Sequence, residues 1–291
     1  MNPSVSTAGP PGGRMREAVA RPGTIPFIGV YDVFSAGLAG KHFDALFVSG
    51  FGFAASFYGL PDIGFITWSD MVAFVQRIRT VLPQHHLLVD IDDGYCDPEV
   101  ACHVVSLLEA SGASGVVLED QRRPRRCGHF EGKQIMELDE YLAKLRQVLA
   151  TRRDLFVIAR TDSSDLEDIE RRVLAFAEAG ADAVLVDGLK SLETVRQLSA
   201  KVKIPFCFNQ IAGGKSPPCT LTELEQAGAK LIIYSTPCLF GAQEGIEKAL
   251  ALVRKADGSL ASSPVGVKDC TRILTENLNR RAAPGVAVRS T

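Results

Sequence analysis

Residues 111–120 have the sequence Ser111-Gly112-Ala113-Ser114-Gly115-Val116-Val117-Leu118-Glu119-Asp120, and this stretch decides the fold class. Gly112 fits the C-cap of a preceding helix, and the run from Gly115 to Leu118 is apolar throughout, as a strand covered on both faces requires. A helix-end glycine followed by a short apolar run recurs at 179–186 and 227–234. This recurrence predicts a repeating βα unit.

Outward from this stretch, short β-rich runs alternate with amphipathic stretches. The predicted strands are 24–31, 45–49, 87–92, 115–119, 156–161, 183–187, 205–209 and 230–234, and helical periodicity is found at 69–82, 98–111 and 167–179. A doubly wound open sheet would show the same alternation, but the first strand-to-helix turn, Gly29 to Val33, lacks the GxGxxG phosphate loop. Eight units favour a (β/α)8 barrel, which needs about 250 residues, and we assign it to residues 24–255.

The two ends of the chain are predicted to lie outside the barrel. Residues 1–23 are rich in Pro, Gly, Ser and Arg and poor in apolar residues, which predicts a disordered tail. Residues 256–264 have the composition of a linker, and 267–280 form an amphipathic segment. Residues 256–291 are therefore predicted to be a C-terminal helical extension, with a neighbouring subunit as one candidate for its packing partner.

Composition and charge point to a small-molecule partner. Thirty-two Lys and Arg against thirty-four Asp and Glu give a net charge of −2, so no global field attracts nucleic acid or an anionic membrane. The seven cysteines contain no CxxC pair, and the apolar runs are too short to cross a bilayer. We expect a cytoplasmic protein with thiols in the reduced state.

The ends of the predicted strands carry mainly acidic side chains. In (β/α)8 barrels the reacting groups lie at the C-terminal ends of the strands. Asp90 and Asp92 are two residues apart, so in an extended strand they would point the same way, and Glu119 ends the next strand. Clustered carboxylates repel one another, and Mg²⁺ or Mn²⁺ would offset that repulsion. One aspartate could instead cap a helix while the others remain solvated, but the convergence of Glu119 favours a metal site.

Two basic features accompany these acids. In the loop 122–133, four arginines flank Cys127, and His129 follows two residues later. Such a loop could be a solvated surface, but beyond a barrel strand it indicates an anion-attracting thiol of lowered pKa that could transfer a proton. Arg160 ends the fifth strand, where it could either neutralise Glu119 or Asp162 or hold a substrate carboxylate. Both roles of Arg160 stay open.

Taken together, these motifs resemble the isocitrate lyase/phosphoenolpyruvate mutase superfamily, specifically its shorter branch, which contains 2-methylisocitrate lyase, 2,3-dimethylmalate lyase and carboxyphosphonoenolpyruvate phosphonomutase. The resemblance covers residues 24–255. It rests on the stretches Gly29-Val30-Tyr31-Asp32, Ser49-Gly50, Gly59 to Gly64, Val89 to Tyr95, Leu118 to Gln121, Arg126-Cys127-Gly128-His129, Ala159 to Asp162 and Gly213 to Pro217.

The resemblance implies a magnesium site and a site for a pyruvyl group. Asp90 would bind the ion directly, with Asp92, Asp62 and Glu119 acting through its waters. The carboxylate of the pyruvyl unit would contact Ser49, Gly50 and Phe51, with Arg160 and Asn209 at its oxygens. Cys127, on a gating loop with His129, would protonate the departing enolate carbon. The remaining implied site residues are Tyr31 and Gly128 at the substrate and Asp187 among the catalytic groups. Relatives also form homotetramers by exchanging a C-terminal helix.

Several positions depart from the pattern of the relatives. Arg125 stands where the lyases have Lys, Asp187 where strand six usually ends in Glu, Ala212 where many have Glu, and Phe240 where methylisocitrate lyases have an arginine for the far carboxylate. These departures favour a specialised substrate.

The leading expectation is a Mg²⁺-dependent carbon–carbon lyase that cleaves a 2-hydroxy di- or tricarboxylate, of the alkylmalate or methylisocitrate type, to pyruvate or another 2-oxo acid through an enolate. The alternatives are a phosphonomutase that forms a C–P bond and a 2-oxo acid decarboxylase or hydrolase. From another class, a binding protein or inactive paralogue on the same scaffold is raised by Asp187 and Ala212.

Overall fold

The computed structural model describes residues 9–128, 132–259 and 265–281, and its centre is a closed barrel of eight parallel strands. The strands follow chain order: β1 (Ile25–Val30), β2 (Ala45–Val48), β3 (His86–Asp90), β4 (Gly115–Glu119), β5 (Phe156–Thr161), β6 (Ala183–Val186), β7 (Phe206–Gln210) and β8 (Ala229–Tyr234). Strand β8 pairs with β1, which closes the sheet. The predicted (β/α)8 barrel is confirmed.

Helices cover the outside of the barrel. They are α1 (Pro11–Ala20), α2 (Val33–Ala39), α3 (Gly50–Phe53), α4 (Trp68–Val81), α5 (Pro98–Ala110), α6 (Leu138–Thr151), α7 (Leu166–Glu178), α8 (Leu192–Lys201), α9 (Leu221–Gln226), α10 (Pro237–Lys255) and α11 (Val267–Arg281). A π-helical turn, Ala54–Tyr58, continues α3. Capping boxes at Asp32, Thr67 and Thr220 start α2, α4 and α9, so local sequence places these helices directly after their strands or connecting loops.

The strands are buried on both faces, which explains their continuous apolar character. Along β4, Val117 faces the barrel interior, where it packs in a cluster with Phe47, Leu185 and Ile233. Its neighbours Val116 and Leu118 belong instead to the cluster between sheet and helices. Burial of one such aliphatic side chain stabilises the fold by about 1.5–3 kcal/mol, so the two layers together hold the strand ends firmly in place.

The prediction of a disordered tail is wrong for residues 11–20. Helix α1 begins with Pro11 at its first turn and covers the N-terminal end of the barrel. Met15 and Val19 are buried in the interior cluster, and the backbone N–H groups of Gly12 and Gly13 donate to Asp154 Oδ2 over 2.6 and 3.0 Å. Tertiary packing therefore overrides a composition that is unfavourable for a helix on its own. Residues 1–8 lie outside the described part of the chain.

Helices α10 and α11 follow the last strand. Helix α11 matches the amphipathic segment predicted at 267–280 and packs on α2 and α4 of the same chain, with Ile273 and Asn277 buried. Helix α10 buries no residue in this chain. Across the described ranges, no helix combines the length and the apolar character that a membrane span would need.

Candidate active site

A cavity at the C-terminal mouth of the barrel gathers most of the predicted site residues. Its floor is formed by the interior side chains of Phe47, Val117, Leu185 and Ile233. Its walls and roof include Ser49, Phe51, Asp62, Asp90, Arg125, Cys127, Gly128, Arg160, Asp187, Asn209 and Ser235. The strands β2 to β8 and two loops contribute to this cavity, because parallel strands all end at the same mouth.

Four predicted residues lie elsewhere. Asp92 and Glu119 lie behind the cavity wall, in contact with Arg125. The backbone of Gly50 runs beside Asp90, since a Cβ on this glycine would lie 3.1 Å from Asp90 Oδ2. Tyr31 is half-buried beside Gly52, and its side chain is not part of the cavity lining. His129 lies outside the described residues.

Arg125 is buried among the acidic side chains. Its Nε donates to Glu119 Oε1 over 2.8 Å and its Nη1 to Asp62 Oδ1, while Asp92 Oδ1 lies 3.3 Å from Nη1. Arg125 is 1% exposed. Three carboxylates thus share one guanidinium, which cannot neutralise all of them.

Several carboxylate oxygens in this cluster have no hydrogen-bond partner. Both carboxylate oxygens of Asp92 are buried and accept no hydrogen bond, and the same holds for Oε2 of Glu119. Burial raises the pKa of Asp92 well above its ordinary value and that of Glu119 to about 7, although Arg125 acts in the opposite direction. Burial likewise raises the pKa of Asp90. The carboxylates of the cluster outnumber the guanidinium groups that contact them, and their free oxygens are the ligands that a hard divalent cation prefers.

The cluster does not form a closed protein cage for an ion. Across the described part of the chain, no three His, Cys, Asp or Glu side chains converge in metal-binding geometry, because Arg125 lies between Asp62, Asp92 and Glu119. Mg²⁺ commonly keeps several waters and takes only one or two carboxylates directly. The residues present therefore fit an ion bound mainly through water.

The expectation that Asp90 and Asp92 share an extended strand is wrong. Strand β3 ends at Asp90, and Asp92 has a left-handed φ of 51°. The backbone N–H of Asp92 donates to Asp90 Oδ1 at 3.4 Å. The turn nevertheless keeps the two carboxylates together: a Cβ on Gly50 would lie 3.1 Å from Asp90 Oδ2 and 3.6 Å from Asp92 Oδ1.

Arg160 is the centre of a second network. The register of β4 and β5 places it opposite Glu119. Its Nε donates to Asp162 Oδ2 over 2.8 Å, and its Nη2 lies 2.8 Å from Asp187 Oδ2 and 3.3 Å from Glu119 Oε2. The structural role left open by the sequence is thus observed. Because the same side chain lines the cavity, contact with a substrate remains compatible with it.

The network continues to β7 and β8. Asn209 Nδ2 donates to Asp187 Oδ1 over 2.9 Å, and Ser235 Oγ donates to Asn209 Oδ1 over 2.8 Å. Ser235 thereby fixes the orientation of the Asn209 amide. Ser235 was not among the predicted site residues. Its position directly after β8 was the one sequence feature that could have indicated a place at the barrel mouth, because a single serine forms no recognisable motif.

Ser49 starts α3 and lies at the cavity wall. Its Oγ accepts a hydrogen bond from the backbone N–H of Gly52 over 3.1 Å, and the side chain is 1% exposed. A hydroxyl that accepts in this way still has its own proton to donate.

The loop after β4 folds over the cavity. The Gln121 side chain holds the loop through two hydrogen bonds to the Arg126 backbone. Its Nε2 donates to the Arg126 carbonyl over 2.8 Å, and its Oε1 accepts from the Arg126 N–H over 2.9 Å. Cys127 is buried and lines the cavity. Gly128 follows, and a Cβ there would lie 1.9 Å from Asp187 Oδ2. Only glycine therefore allows the loop to approach this closely.

The arginines of this loop do not form the open positive field that the sequence suggested. Arg122 pairs with Glu140, Arg123 donates to Asp93 over 2.7 Å, and Arg125 is buried in the acidic cluster. Three of the four loop arginines are thus neutralised by carboxylates. Their main effect is to anchor the loop.

Lys133 fastens the far side of the loop, which the sequence analysis did not foresee. Its Nζ donates to the Gly128 carbonyl over 2.7 Å and to Asp162 Oδ1 over 3.0 Å. Asp162 also binds Arg160. The lysine therefore connects the closed loop to the Arg160 network.

Lys133→Met is expected to loosen the loop. It removes two charge-assisted hydrogen bonds, each worth about 1.5–3 kcal/mol, so tryptic cleavage after Arg125 and Arg126 should accelerate by at least about tenfold. Mass spectrometry of a timed digest measures this rate. Lys190→Met, which changes an exposed lysine after β6, is the matched control. Equal cleavage rates in the two variants would contradict the anchoring role.

Comparison with known proteins gives consistent relatives. The family model described as phosphoenolpyruvate phosphomutase matches residues 15–254. A 2-methylisocitrate lyase from Aeropyrum pernix is 33% identical over 228 residues, which are 77% of this chain and 73% of the relative. A solved 2,3-dimethylmalate lyase superposes with a TM-score of 0.88 at 30% identity, covering 94% of each chain. An oxaloacetate acetylhydrolase, solved in complex with the product oxalate, superposes with a TM-score of 0.85 at 29% identity, covering 90% of this chain and 93% of that one.

Proposed function

The chain belongs to the phosphoenolpyruvate phosphomutase family, within the isocitrate lyase/phosphoenolpyruvate mutase superfamily, and on this premise we propose that it is a divalent-metal-dependent carbon–carbon lyase. Its substrate would be a 2-hydroxy di- or tricarboxylate, cleaved to pyruvate or another 2-oxo acid. One observation carries the proposal: buried carboxylate oxygens that accept no hydrogen bond lie beside a cavity lined by Cys127.

The metal would be Mg²⁺ or Mn²⁺, held directly by Asp90 and through water by Asp62, Asp92 and Glu119. When bound, the ion offsets negative charge on the substrate oxygens, most strongly in the transition state. The oxygens of Asp92 and Glu119 that accept no hydrogen bond support this assignment, because the waters of a hydrated cation would supply the missing donors.

The substrate would be oriented by polar groups on several strands. The Ser49 hydroxyl and the backbone of Gly50 and Phe51 would bind its carboxylate, with Arg160 and Asn209 at the neighbouring oxygens. Asp187 holds these last two side chains in place through contacts of 2.8 and 2.9 Å. Tyr31, which lies beside Gly52 and outside the cavity lining, would contact the substrate only after a local rearrangement of this wall.

Cys127 would act as the proton donor. As the bond between the two fragments breaks, the electron pair remains on the departing carbon, and the thiol proton is transferred to that carbon. The 2-hydroxyl proton would pass to the Asp187 carboxylate at the cavity wall, and the C–O bond of that fragment becomes the carbonyl of the 2-oxo acid. Gly128 and the described residues of the loop limit the access of water to the cavity, and His129 would assist the proton transfer.

A substrate panel tests the proposal. Purified enzyme with Mg²⁺ is incubated with 2-alkylmalates, 2,3-dimethylmalate and 2-methylisocitrate, and 2-oxo acid release is followed with a coupled dehydrogenase. Release that EDTA stops and Mg²⁺ restores supports the lyase. No 2-oxo acid from any of the compounds would argue strongly against it.

The second candidate is a phosphonomutase, which the description of the matching family model favours. The stretch Gly213-Gly214-Lys215 also resembles that branch. Phosphorus NMR of an incubation with phosphoenolpyruvate distinguishes the two, because a new C–P resonance arises only from the mutase. Oxalate and acetate from oxaloacetate would instead indicate a hydrolase.

We propose further that the protein is a homo-oligomer formed by exchange of α10, and that it is cytoplasmic. Ile246, Leu250 and Leu252 on α10 are 53–65% exposed. An apolar groove on the barrel wall, lined by Ile28, Leu38, Leu221 and Tyr234 among others, offers an apolar surface on which these side chains could pack.

The seven cysteines, all in described segments, form no disulfide, which is compatible with a reducing compartment such as the cytoplasm.

Leu250→Asp is expected to weaken this assembly. A buried charge in an apolar interface costs several kcal/mol, so the dimer or tetramer should dissociate at micromolar concentration. Light scattering after size-exclusion chromatography measures the mass. Gln243→Asp, a change at a polar position of the same helix, serves as the control. An unchanged mass for the leucine variant would contradict exchange through α10.

A further inference from the structure

Arg14 is a buried cation without a counterion. Its side chain, on α1 at the N-terminal end of the barrel, is 6% exposed. Nη1 donates to the carbonyl and to Oε1 of Gln84 over 3.0 and 2.9 Å, but the buried Nε has no acceptor. Among the described residues Arg14 forms no ion pair. Buried charges in proteins are normally paired, so a missing anion is indicated.

A cavity opens beside this arginine. It has a volume of about 400 Å³ and lies between α1 and the first residues of β1, β2 and β3. His86, the first residue of β3, also lines it, is 4% exposed and has an Nδ1 without a hydrogen-bond partner. Two nine-tenths-buried polar side chains with unsatisfied nitrogens therefore share one cavity.

The charges around the cavity favour a small anion. Arg14 and Arg21 line it, and Arg79 lies close enough to act on both Arg14 and His86. Burial is the largest cause that lowers the pKa of His86 to about 4, and the positive charges of Arg14 and Arg79 act in the same direction. The imidazole is therefore neutral at pH 7. Glu17 at the exposed rim and the half-buried Asp44 also line the cavity. Their charges disfavour large polyanions but leave the buried Arg14 uncompensated.

We propose that this cavity binds a small anion through a carboxylate or phosphate group, which accepts hydrogen bonds from Arg14 Nε and contacts His86. The site is separate from the one that contains Cys127. Strand β3 carries His86 at its start and Asp90 at its end, so the two sites lie at opposite mouths of the barrel. An anion here would tie α1 to the strand starts.

Titration of the full-length protein with inorganic phosphate and with malonate tests the site, with Mg²⁺ and oxalate at saturation to fill the other mouth. Thermal stability and the NMR signals of the His86 ring are followed. Saturable binding of either compound should shift the NMR signals of His86 and raise the pKa of His86. The compound that binds more tightly identifies phosphate or carboxylate as the preferred group. Arg14→Met should weaken that binding by about tenfold or more, the effect expected from loss of one charge-assisted contact.

Two further variants keep the test decisive. Arg77→Met alters an exposed arginine on α4 and should bind as the unaltered protein does. If Arg14→Met does not fold, Arg21→Gln at the exposed rim should still weaken binding severalfold. Absence of saturable binding would show that the cavity holds only water, and equal binding by the Arg14 or Arg21 variant and the unaltered protein would place the anion elsewhere. Either result overturns the proposal.

Discussion

Cys127→Ser is expected to lower the rate of bond cleavage by roughly 10²–10⁴-fold, the range for loss of a general acid or base. Serine has nearly the same shape, so it fits the buried position in the cavity wall. Its hydroxyl is a far weaker acid than the thiol and transfers a proton poorly to carbon at neutral pH. The substitution therefore removes the chemistry and preserves the cavity.

Separate measurements of binding and turnover distinguish this role from a structural one. Isothermal titration with oxalate and Mg²⁺ should give affinities within about threefold of the unaltered protein, since less than about 0.7 kcal/mol of binding free energy is at stake. Cys270→Ser, at an exposed position on α11, is the matched control and should retain full activity. Near-normal turnover by the Cys127 variant would refute the proposed proton transfer.

The fold was predictable because its signals are local and repeated. A helix-end glycine followed by an apolar run precedes three of the eight strands, and the predicted strands 115–119 and 156–161 match β4 and β5 residue for residue. Helix α1 was not predictable in this way. The contacts of Met15 with the barrel interior and of Gly12 with Asp154 form only after the chain has folded, and composition contains no trace of them.

The candidate site was predictable where it depends on strand ends and not where it depends on side-chain conformation. Asp90, Arg160 and Asn209 lie at one mouth, as parallel strands require. The burial of Arg125 among the carboxylates could not be foreseen, because it depends on how residues 122–128 fold after β4. The roles of Gln121 and Lys133 as loop anchors escaped notice for the same reason.

The shorter side chain of Asp187 does not disconnect the network. Relatives usually have Glu at this position, yet Asp187 still reaches Arg160 at 2.8 Å and Asn209 at 2.9 Å. The loop compensates from the other side, since Gly128 packs directly against the Asp187 carboxylate. The polar connections expected of a working site are therefore intact, which weakens the case for an inactive paralogue.

Asp90→Asn is expected to abolish activity and to weaken metal binding strongly. The amide keeps the shape of the side chain and removes the charge of the one carboxylate that we assign to direct ligation. Affinity for Mn²⁺ should therefore fall by at least about 10–100-fold, the loss typical even when only a residue that hydrogen-bonds to a metal ligand is changed. Titration calorimetry with Mn²⁺ on the metal-free protein measures this without any substrate. Asp269→Asn, at an exposed position on α11, provides the control.

The stability of the metal-free variant gives an independent check on the same assignment. Asp90 is buried near Asp62 and Asp92, and both burial and the charge of Asp62 raise its pKa, so its ionised form is unfavourable without a cation. In EDTA, Asp90→Asn should therefore unfold at a temperature no lower than the unaltered protein, whereas added Mn²⁺ should stabilise only the latter. If both proteins are stabilised equally by Mn²⁺, the ion binds away from Asp90 and the proposed centre is wrong.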